Sequence, residues 1–485
     1  MSDPRQASGG QRAVMRDIGV LGVAQAVTML LNLVALVHIA RTVGDTWFGV
    51  LQWGVAFSAY ALIVAEWGLG TLAVREISRL DAIAAVRAFA RSQLGLMLTM
   101  GGAVMLVGAV LLPLFPLFGT DPVILLVYLA TIVPFALSLD WVGIGLQRLT
   151  TVSVVKTLRS LLYALAVLLL LRTLDGVGGW PAARWVPVFF WLAWIAAAIA
   201  MASAVRGWLG GWIRPRWGPA SEWSWRLRAT APIGAGALTL RVLLNIDVML
   251  LGFLAAPAVV GNYAAAAKVV FVLPIAVEVV WKALLPRLSM AWSESPELSR
   301  RRFSFYLGLV LLVLVPLAVG GVLLGEDLMT LLYGDRFPGA GTVCRILSVS
   351  YVALAVGQFF GNGLIASDRQ ARYFPPLAVA AGVALVAVTV LAARLGGAGA
   401  AWGMLAAHGL LAASTAAVAR DLMAPTLRRP LVAAVLGALV MALALTWAPA
   451  WHLLARVALA IAVYGVVASP LALGWLGREA RETGL

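Results

Sequence analysis

The chain has 485 residues, 62% of them hydrophobic and only 12% charged, with a formal net charge of +15 and a single cysteine, Cys344. Soluble domains carry roughly 25% charged residues, so a water-soluble globule is excluded, and one thiol excludes an intramolecular disulfide framework and a cysteine metal cluster. The cations sit in short connections rather than on one basic domain, which argues against nucleic acid and for contact with anionic membrane lipid.

Residues 1–17 are polar, and the apolar run after them is too long for the core of a cleavable signal, so no leader is expected. Fourteen apolar stretches then follow, over 18–40, 47–70, 88–115, 122–145, 152–172, 186–206, 230–253, 260–285, 304–325, 341–366, 374–394, 398–419, 430–448 and 453–476. Each is long enough to cross a ~30 Å hydrocarbon core as a helix. Pro134, Pro274 and Pro316 lie inside these spans and are expected to kink them. Many of the tryptophans, such as Trp180, Trp185, Trp212 and Trp447, fall near span ends, as interfacial anchors do.

The connections alternate in charge. Assigned in turn to two sides, they place about 27 Lys and Arg on the side of the N-terminus and about 6 on the other, with no inversion along the chain. The positive-inside rule then places both termini in the cytoplasm.

An ungapped offset of 212 superposes Gly22 on Gly234, Gly49 on Gly261, Glu66 on Glu278, Leu72 on Leu284 and Arg75 on Arg287. Spans 1–2 thus resemble spans 7–8, and an even spacing means a parallel repeat about an axis along the membrane normal. The expected fold is an all-α polytopic membrane protein of about 14 transmembrane helices, with two pseudo-symmetric six-helix lobes plus two C-terminal helices. Its parts are an N-terminal lobe over 1–206, a cytoplasmic linker over 207–229, a C-terminal lobe over 230–420, and helices 13–14 with a cytoplasmic tail over 421–485.

Ionisable residues inside spans are costly and point to function. Arg241 and Asp247 lie in the seventh span, and Lys268, Glu278 and Lys282 in the eighth. Glu66 ends the second, Asp140 sits late in the fourth, and Arg345 starts the tenth. Arg241 and Lys268 are each too deep to reach the surface easily by snorkelling. Asp247 is six residues after Arg241, a poor intrahelical pair, so partners must come from other helices. Static neutralisation within the bundle is the competing reading for Arg241, Lys268 and Asp247, and interfacial pairing for Glu66, Glu278, Asp140 and Lys282. His38 and His408 read as packing residues rather than proton relays. Gln93 and other span amides serve a sugar or one another equally well. No phosphate loop and no His-Glu-x-x-His occurs. No enzymatic activity, metal or cofactor is expected.

Four segments resemble a known family. The run RTVGDTWFGVLQWGVAFSAYALIVAEWGLGTLAVREISR (41–79) is similar to the start of bacterial O-antigen and capsule polysaccharide flippases. LDWVGIGLQRL (139–149) resembles their signature at the end of helix 4 through Asp140, Trp141, Gly145 and Arg148, departing from it at Ile144 and Gln147. NIDVMLLGFLAAPAVVGNYAAAAKVV (245–270) resembles their helix 7–8 block, and LLYGDRFPGAG (331–341) the loop before helix 10. The resemblance covers about residues 12–420.

It implies the multidrug/oligosaccharidyl-lipid/polysaccharide exporter superfamily, with two six-helix lobes and alternating access. It implies a polyprenyl-diphosphate-linked oligosaccharide as substrate, moved from the cytoplasmic to the periplasmic leaflet of a bacterial inner membrane. Arg241 and Lys268 are then the expected pyrophosphate ligands, because guanidinium and ammonium groups in a cleft hold such charge. Asp247, Glu66, Glu278, Asp140, Lys282 and Arg345 are accessory or coupling candidates. Partners are membrane lipids and a polymerase or glycosyltransferases of the same pathway. A cation-coupled multidrug exporter and a non-transporting scaffold of a lipid-linked glycan pathway remain alternatives.

The topology is testable by cysteine accessibility in a Cys344-free variant. Probes at Ser295 and Thr426 should react only with membrane-permeant reagent. Labelling of either from outside would break the assignment.

Overall fold

The computed structural model describes residues 4–111, 114, 119, 121–271, 273–274, 277, 281, 288, 295–448 and 451–483, with side chains described over 27–477 of these. Their contacts divide the chain into two compact units, Met1–Arg241 with Ala256–Ala258, and Val242–Ala255 with Val259–Leu485. All regular structure among the described residues is helical. The first unit holds α1 (Pro4–Glu66), α2 (Leu69–Ile77), α3 (Ile83–Leu111), α4 (Pro122–Ala130), α5 (Ile132–Leu137), α6 (Asp140–Gly145), α7 (Leu149–Leu170) and α8 (Ala182–Leu209). Helix α9 (Ala220–Leu254) contributes to both units. The second continues with α10 (Pro257–Val270), α11 (Pro296–Tyr333), α12 (Ala340–Ala366), α13 (Phe374–Val418), α14 (Arg428–Trp447) and α15 (Leu453–Thr483).

Eleven helical stretches among the described residues are long and apolar enough to cross a membrane. Two contain a break: Gly44 in α1 (φ 78°, ψ 175°) and Gly396 in α13 (φ 57°, ψ −135°). Both fall where one expected span ends and the next begins. Left-handed φ costs an L side chain roughly 1–2 kcal/mol, so glycine marks the place where the chain turns. The chain is thus a multi-pass helical membrane protein.

The fourth span departs from the single kinked helix expected over 122–145. It is three pieces, α4, α5 and α6. Pro134 has no N–H for the Ala130 carbonyl, and Leu139 adopts a left-handed φ of 52°. The Asp121 carboxylate caps α4 by accepting from the Val123 and Ile124 amides, at 2.8 and 3.2 Å. It also receives Arg184 Nε at 2.9 Å from the start of α8. By contrast α11 runs through Pro316 without interruption. Pro274 lies among residues too sparsely described to place a kink.

Of the polar stretch 207–229, only the part between α8 and α9 is non-helical, and it is fastened to α3. Arg87 donates to the Leu209 carbonyl. Arg91 Nε donates to the Arg214 carbonyl at 3.2 Å, and the Arg216 amide returns to Arg91 O at 2.9 Å. Arg226, 6% exposed, donates to Gln93 Oε1 at 2.9 Å and to Glu222 Oε1 at 2.6 Å. The Glu222–Arg226 spacing and the acid in the first turn of α9 favour helix there, so α9 begins well before the apolar run does.

The core of the first unit gathers Leu69, Ile77, Leu94, Trp141, Val142 and Met201. Here α6 meets α2 so closely that a Cβ on Gly145 would sit 2.7 Å from Ile77 Cγ2. In the second unit Phe303, Phe359 and Trp475 anchor a cluster joining α11, α12 and α15. Gly145→Val should therefore destabilise the first unit by about 1–3 kcal/mol through overpacking. Thermal unfolding of the purified protein in detergent, compared with wild type, reads this out. An unchanged midpoint would mean that the α2–α6 contact is not tight.

Candidate translocation site

The second unit holds a buried polar cluster. Asp247, on α9, is 1% exposed. Its Oδ2 accepts the Tyr263 hydroxyl at 2.6 Å, and its Oδ1 accepts the Val248 N–H at 2.8 Å. Lys268, one and a half turns after Tyr263 on α10, is close enough for its ammonium to interact with the carboxylate. An apolar site penalises an unpaired carboxylate heavily, so hydroxyl and ammonium together make this acid tolerable. Tyr263 itself is fully buried. Sequence reasoning singled out Asp247 and Lys268 but missed Tyr263. The available signal was the tyrosine of the family-like block at 245–270.

Two further bonds fasten α10 around this cluster. Asn262 Oδ1 accepts the Gly339 amide at 3.0 Å, and the Tyr333 hydroxyl donates to the Ala265 carbonyl at 3.3 Å. Both outside residues belong to the segment 331–341. Behind the cluster, Tyr351 packs edge-on against Phe271 with centroids 5.6 Å apart. It also sits 5.7 Å from the His408 ring. His408 Nε2 lies 3.0 Å from the Leu243 carbonyl and Nδ1 lies 2.8 Å from Ser350 Oγ. A carbonyl only accepts, so the proton is on Nε2 and Ser350 donates to Nδ1. His408 is a packing residue, as the sequence reading had it.

Arg241 belongs to the first unit and is half-buried. Tyr60, on α1, interacts with its charge and donates its hydroxyl to the Arg241 carbonyl at 3.2 Å. Tyr60 was not anticipated. Its sequence position, in the middle of an apolar span with no charged neighbour, gives no cue. Glu66 Oε1 accepts the Gly70 amide at 3.2 Å across the break between α1 and α2. Asp140 opens α6 and pairs with Lys156 of α7 at 3.6 Å. Arg345, at the start of α12, pairs with Glu326 of α11 at 3.3 Å, both side chains about half exposed (46% and 50%). Glu66, Asp140 and Arg345 thus have local partners. Glu278 and Lys282 lie outside the described residues. Gln93, a candidate sugar ligand, is fully buried and engaged with Leu69 O and Arg226.

Comparison with known proteins bears on this arrangement. The family model described as "Polysaccharide biosynthesis protein" matches residues 14–292, more than half of the chain. No curated protein matches by sequence. Among solved structures, the lipid II flippase MurJ in an inward closed conformation superposes with a TM-score of 0.78 at 11% identity, covering 94% of this chain and 99% of that one. An inward-facing multidrug resistance MATE family transporter of the MOP superfamily superposes with a TM-score of 0.61 at 15% identity, covering 81% and 94%. A MOP superfamily transporter from Pyrococcus furiosus, described as having a binding pocket of reverse polarity, gives 0.53 at 14% identity, covering 84% and 96%. The chain therefore has the fold shared by these transporters.

Tyr263→Phe removes the hydroxyl and leaves one Asp247 oxygen without its donor. A loss of about 1–3 kcal/mol in stability is expected. Asp247→Asn in the same background should recover part of it, because an amide is cheaper to bury than a carboxylate. Melting curves of the two single variants and the double variant measure the coupling. Additive effects would show that the two groups are energetically independent.

Proposed function

The chain belongs to the polysaccharide biosynthesis protein family, and from that premise we propose that it is a flippase for a polyprenyl-diphosphate-linked oligosaccharide. In this reading it moves the lipid-linked glycan from the cytoplasmic to the periplasmic leaflet by alternating access. It works in the inner membrane with both termini cytoplasmic, for cell-surface polysaccharide synthesis. The observation that carries the proposal is family membership joined to a fold that matches a lipid flippase over nearly its whole length. We take the fourteen-span count, the six-plus-six lobes over 1–206 and 230–420, the linker 207–229 and the appended helices in 421–485 as part of the same proposal. A polymerase or glycosyltransferases of the pathway are the proposed protein partners.

Arg241 and Lys268 are assigned to the pyrophosphate, the one charge every such substrate carries. The neighbour of Lys268 in the second unit is Asp247, so this carboxylate competes with the substrate for the ammonium. A cation that held the substrate equally tightly in every state would trap it, and competition lets release follow a change of state. The interaction of Lys268 with the Asp247 carboxylate supports giving this competition to Lys268 rather than to Arg241. Glu66, Asp140 and Arg345, each with a local partner, take supporting roles, and Glu278 and Lys282 keep the accessory role that their sequence positions propose.

One observation favours a second reading. Asp247 is an acid deep in a unit, as a cation-coupled multidrug exporter requires, and the fold is shared with MATE transporters. Its hydrogen bond to Tyr263 and its neighbour Lys268 fit a coupling carboxylate as well as a competing one.

Arg241→Ala and Lys268→Ala should each weaken binding of a purified polyprenyl diphosphate about 10–100-fold, the worth of a charge-assisted hydrogen bond of ~1.5–3 kcal/mol. Surface glycan output at matched protein level should fall with it. Arg241→Lys should keep part of the activity, since charge survives and the bidentate fork does not. If both alanine variants bind and export like wild type, the pyrophosphate site lies elsewhere. If the wild-type protein neither binds nor exports lipid-linked glycan but exports drugs, and Asp247→Asn abolishes that efflux, the exporter reading replaces this one.

A further inference from the structure

A second charged cluster lies within the first unit. Lys156 and Arg159 stand on α7, about 10 and 15 Å along it from Leu149 at 1.5 Å per residue. One face of α7, made by Val154, Leu158, Leu161, Leu165 and Leu169, is exposed and apolar, as a lipid-facing surface is. Lys156 belongs to the opposite face. Val152 lies four residues before it and Ser160 four residues after it, and both are buried. The Lys156 side chain between them is nonetheless 46% exposed. A lysine that is exposed within a buried row opens on a hydrated space inside the bundle, not on hydrocarbon.

Asp140, which opens α6, stands 3.6 Å from the Lys156 ammonium and close enough to Arg159 for their charges to interact. Hydrogen bonds of this kind run at about 2.7–3.2 Å, so the Lys156 pair is a loose one. Arg159 lies over the Trp194 ring of α8, 3.9 Å from its centroid. Phe135 packs edge-on against that indole at 5.5 Å and Phe190 at 6.4 Å, which fixes the ring. Stacking on an indole orients the guanidinium plane and leaves its N–H fork open at the edge. Among the described residues the guanidinium makes no hydrogen bond, and none of its nitrogens is sealed from the surface. Its donors are oriented, accessible and unused.

Static neutralisation of Asp140 needs one cation, and two are present. With Asp140 ionised the cluster carries one net positive charge. A single carboxylate neutralises that charge and takes the Arg159 fork through two parallel bonds. A pyrophosphate brings at least two negative charges and meets Asp140 as a like charge. Asp140 is itself an acceptor for hydroxyl groups. Carboxylate and hydroxyls side by side are the chemistry of a uronic acid. We propose that Lys156, Arg159 and Asp140 bind an acidic sugar of the transported glycan, the two cations holding its carboxylate and Asp140 accepting its neighbouring hydroxyls. The inference rests on the flippase reading and narrows the substrate to glycans that contain a carboxylated sugar.

The test titrates the full-length protein, purified in an uncharged detergent, with two synthetic polyprenyl diphosphates, one carrying glucuronic acid and the other glucose. Wild type should bind the glucuronic acid lipid at least about tenfold more tightly, the worth of one charge-assisted hydrogen bond. Lys156→Gln and Arg159→Gln should each cut that preference about threefold or more. Arg159→Lys, which keeps the charge and loses the fork, carries the test if a Gln variant is not recovered, with a loss of the same order. Methyl glucuronide and methyl glucoside, followed by saturation-transfer NMR, read the cluster without the lipid. The glucuronide should bind wild type and weaken in the same variants. If neither lipid binds while the glucuronide behaves in this way, the flippase reading falls and the acidic-sugar site stands. If both lipids bind equally and the variants change nothing, the inference falls and the flippase reading stands. Displacement of the glucuronide by equimolar inorganic pyrophosphate also overturns the inference, because the cluster would then be a second pyrophosphate site.

Discussion

Hydrocarbon offers no hydrogen bonds, so every polar group that enters it must find its partner within the chain. That constraint makes the protein helical, and it also decides where helices are allowed to stop. Gly44 and Gly396 turn the chain where a left-handed residue is cheap. In the fourth span, where α4 ends, the Thr131 amide and hydroxyl both donate to the Tyr128 carbonyl, at 3.2 and 2.6 Å. The same accounting places side chains: Asp247 has Tyr263, Gln93 has Leu69 O and Arg226, and Arg87 covers the end of α8 at Leu209.

Much of the architecture was legible because it rests on local properties. Span positions follow from runs of apolar residues, and the breaks at Gly44 and Gly396 fall in the short gaps between runs. The helical start of α9 was not legible in the same way. Residues 220–229 look like linker by polarity, but Arg226 is buried by contact with Gln93 and Phe89 of α3, more than a hundred residues earlier. Side-chain pairing across helices leaves no trace in a one-dimensional pattern. For the same reason Asp247 and Lys268 stood out as charges in apolar runs, whereas Tyr263 and Tyr60, ordinary in a membrane helix, did not.

The family-like segments acquire a physical meaning in the folded chain. Gly145 is small because α6 lies on Ile77 of α2. Asp247 and Tyr263, separated in sequence, form one hydrogen bond. Asn262 and Gly339, from two different segments, form another. What reads as a set of loose motifs is in large part a set of contacts holding α10 in the second unit. Such motifs identify a fold and surround a site; by themselves they do not name what passes through it.

His408 shows how the same satisfaction of polar groups bears on the membrane as an electrical barrier. Its imidazole is fully buried, one nitrogen committed to the Leu243 carbonyl and the other to Ser350. An imidazole passes protons by accepting on one nitrogen while donating from the other, and here neither is at liberty. To relay a proton the ring would first have to break one of these bonds in a medium that offers no replacement. At this point the second unit spends an imidazole on insulation rather than on transfer: both His408 nitrogens are held by partners of the same unit, one of them a carbonyl that takes no proton onward.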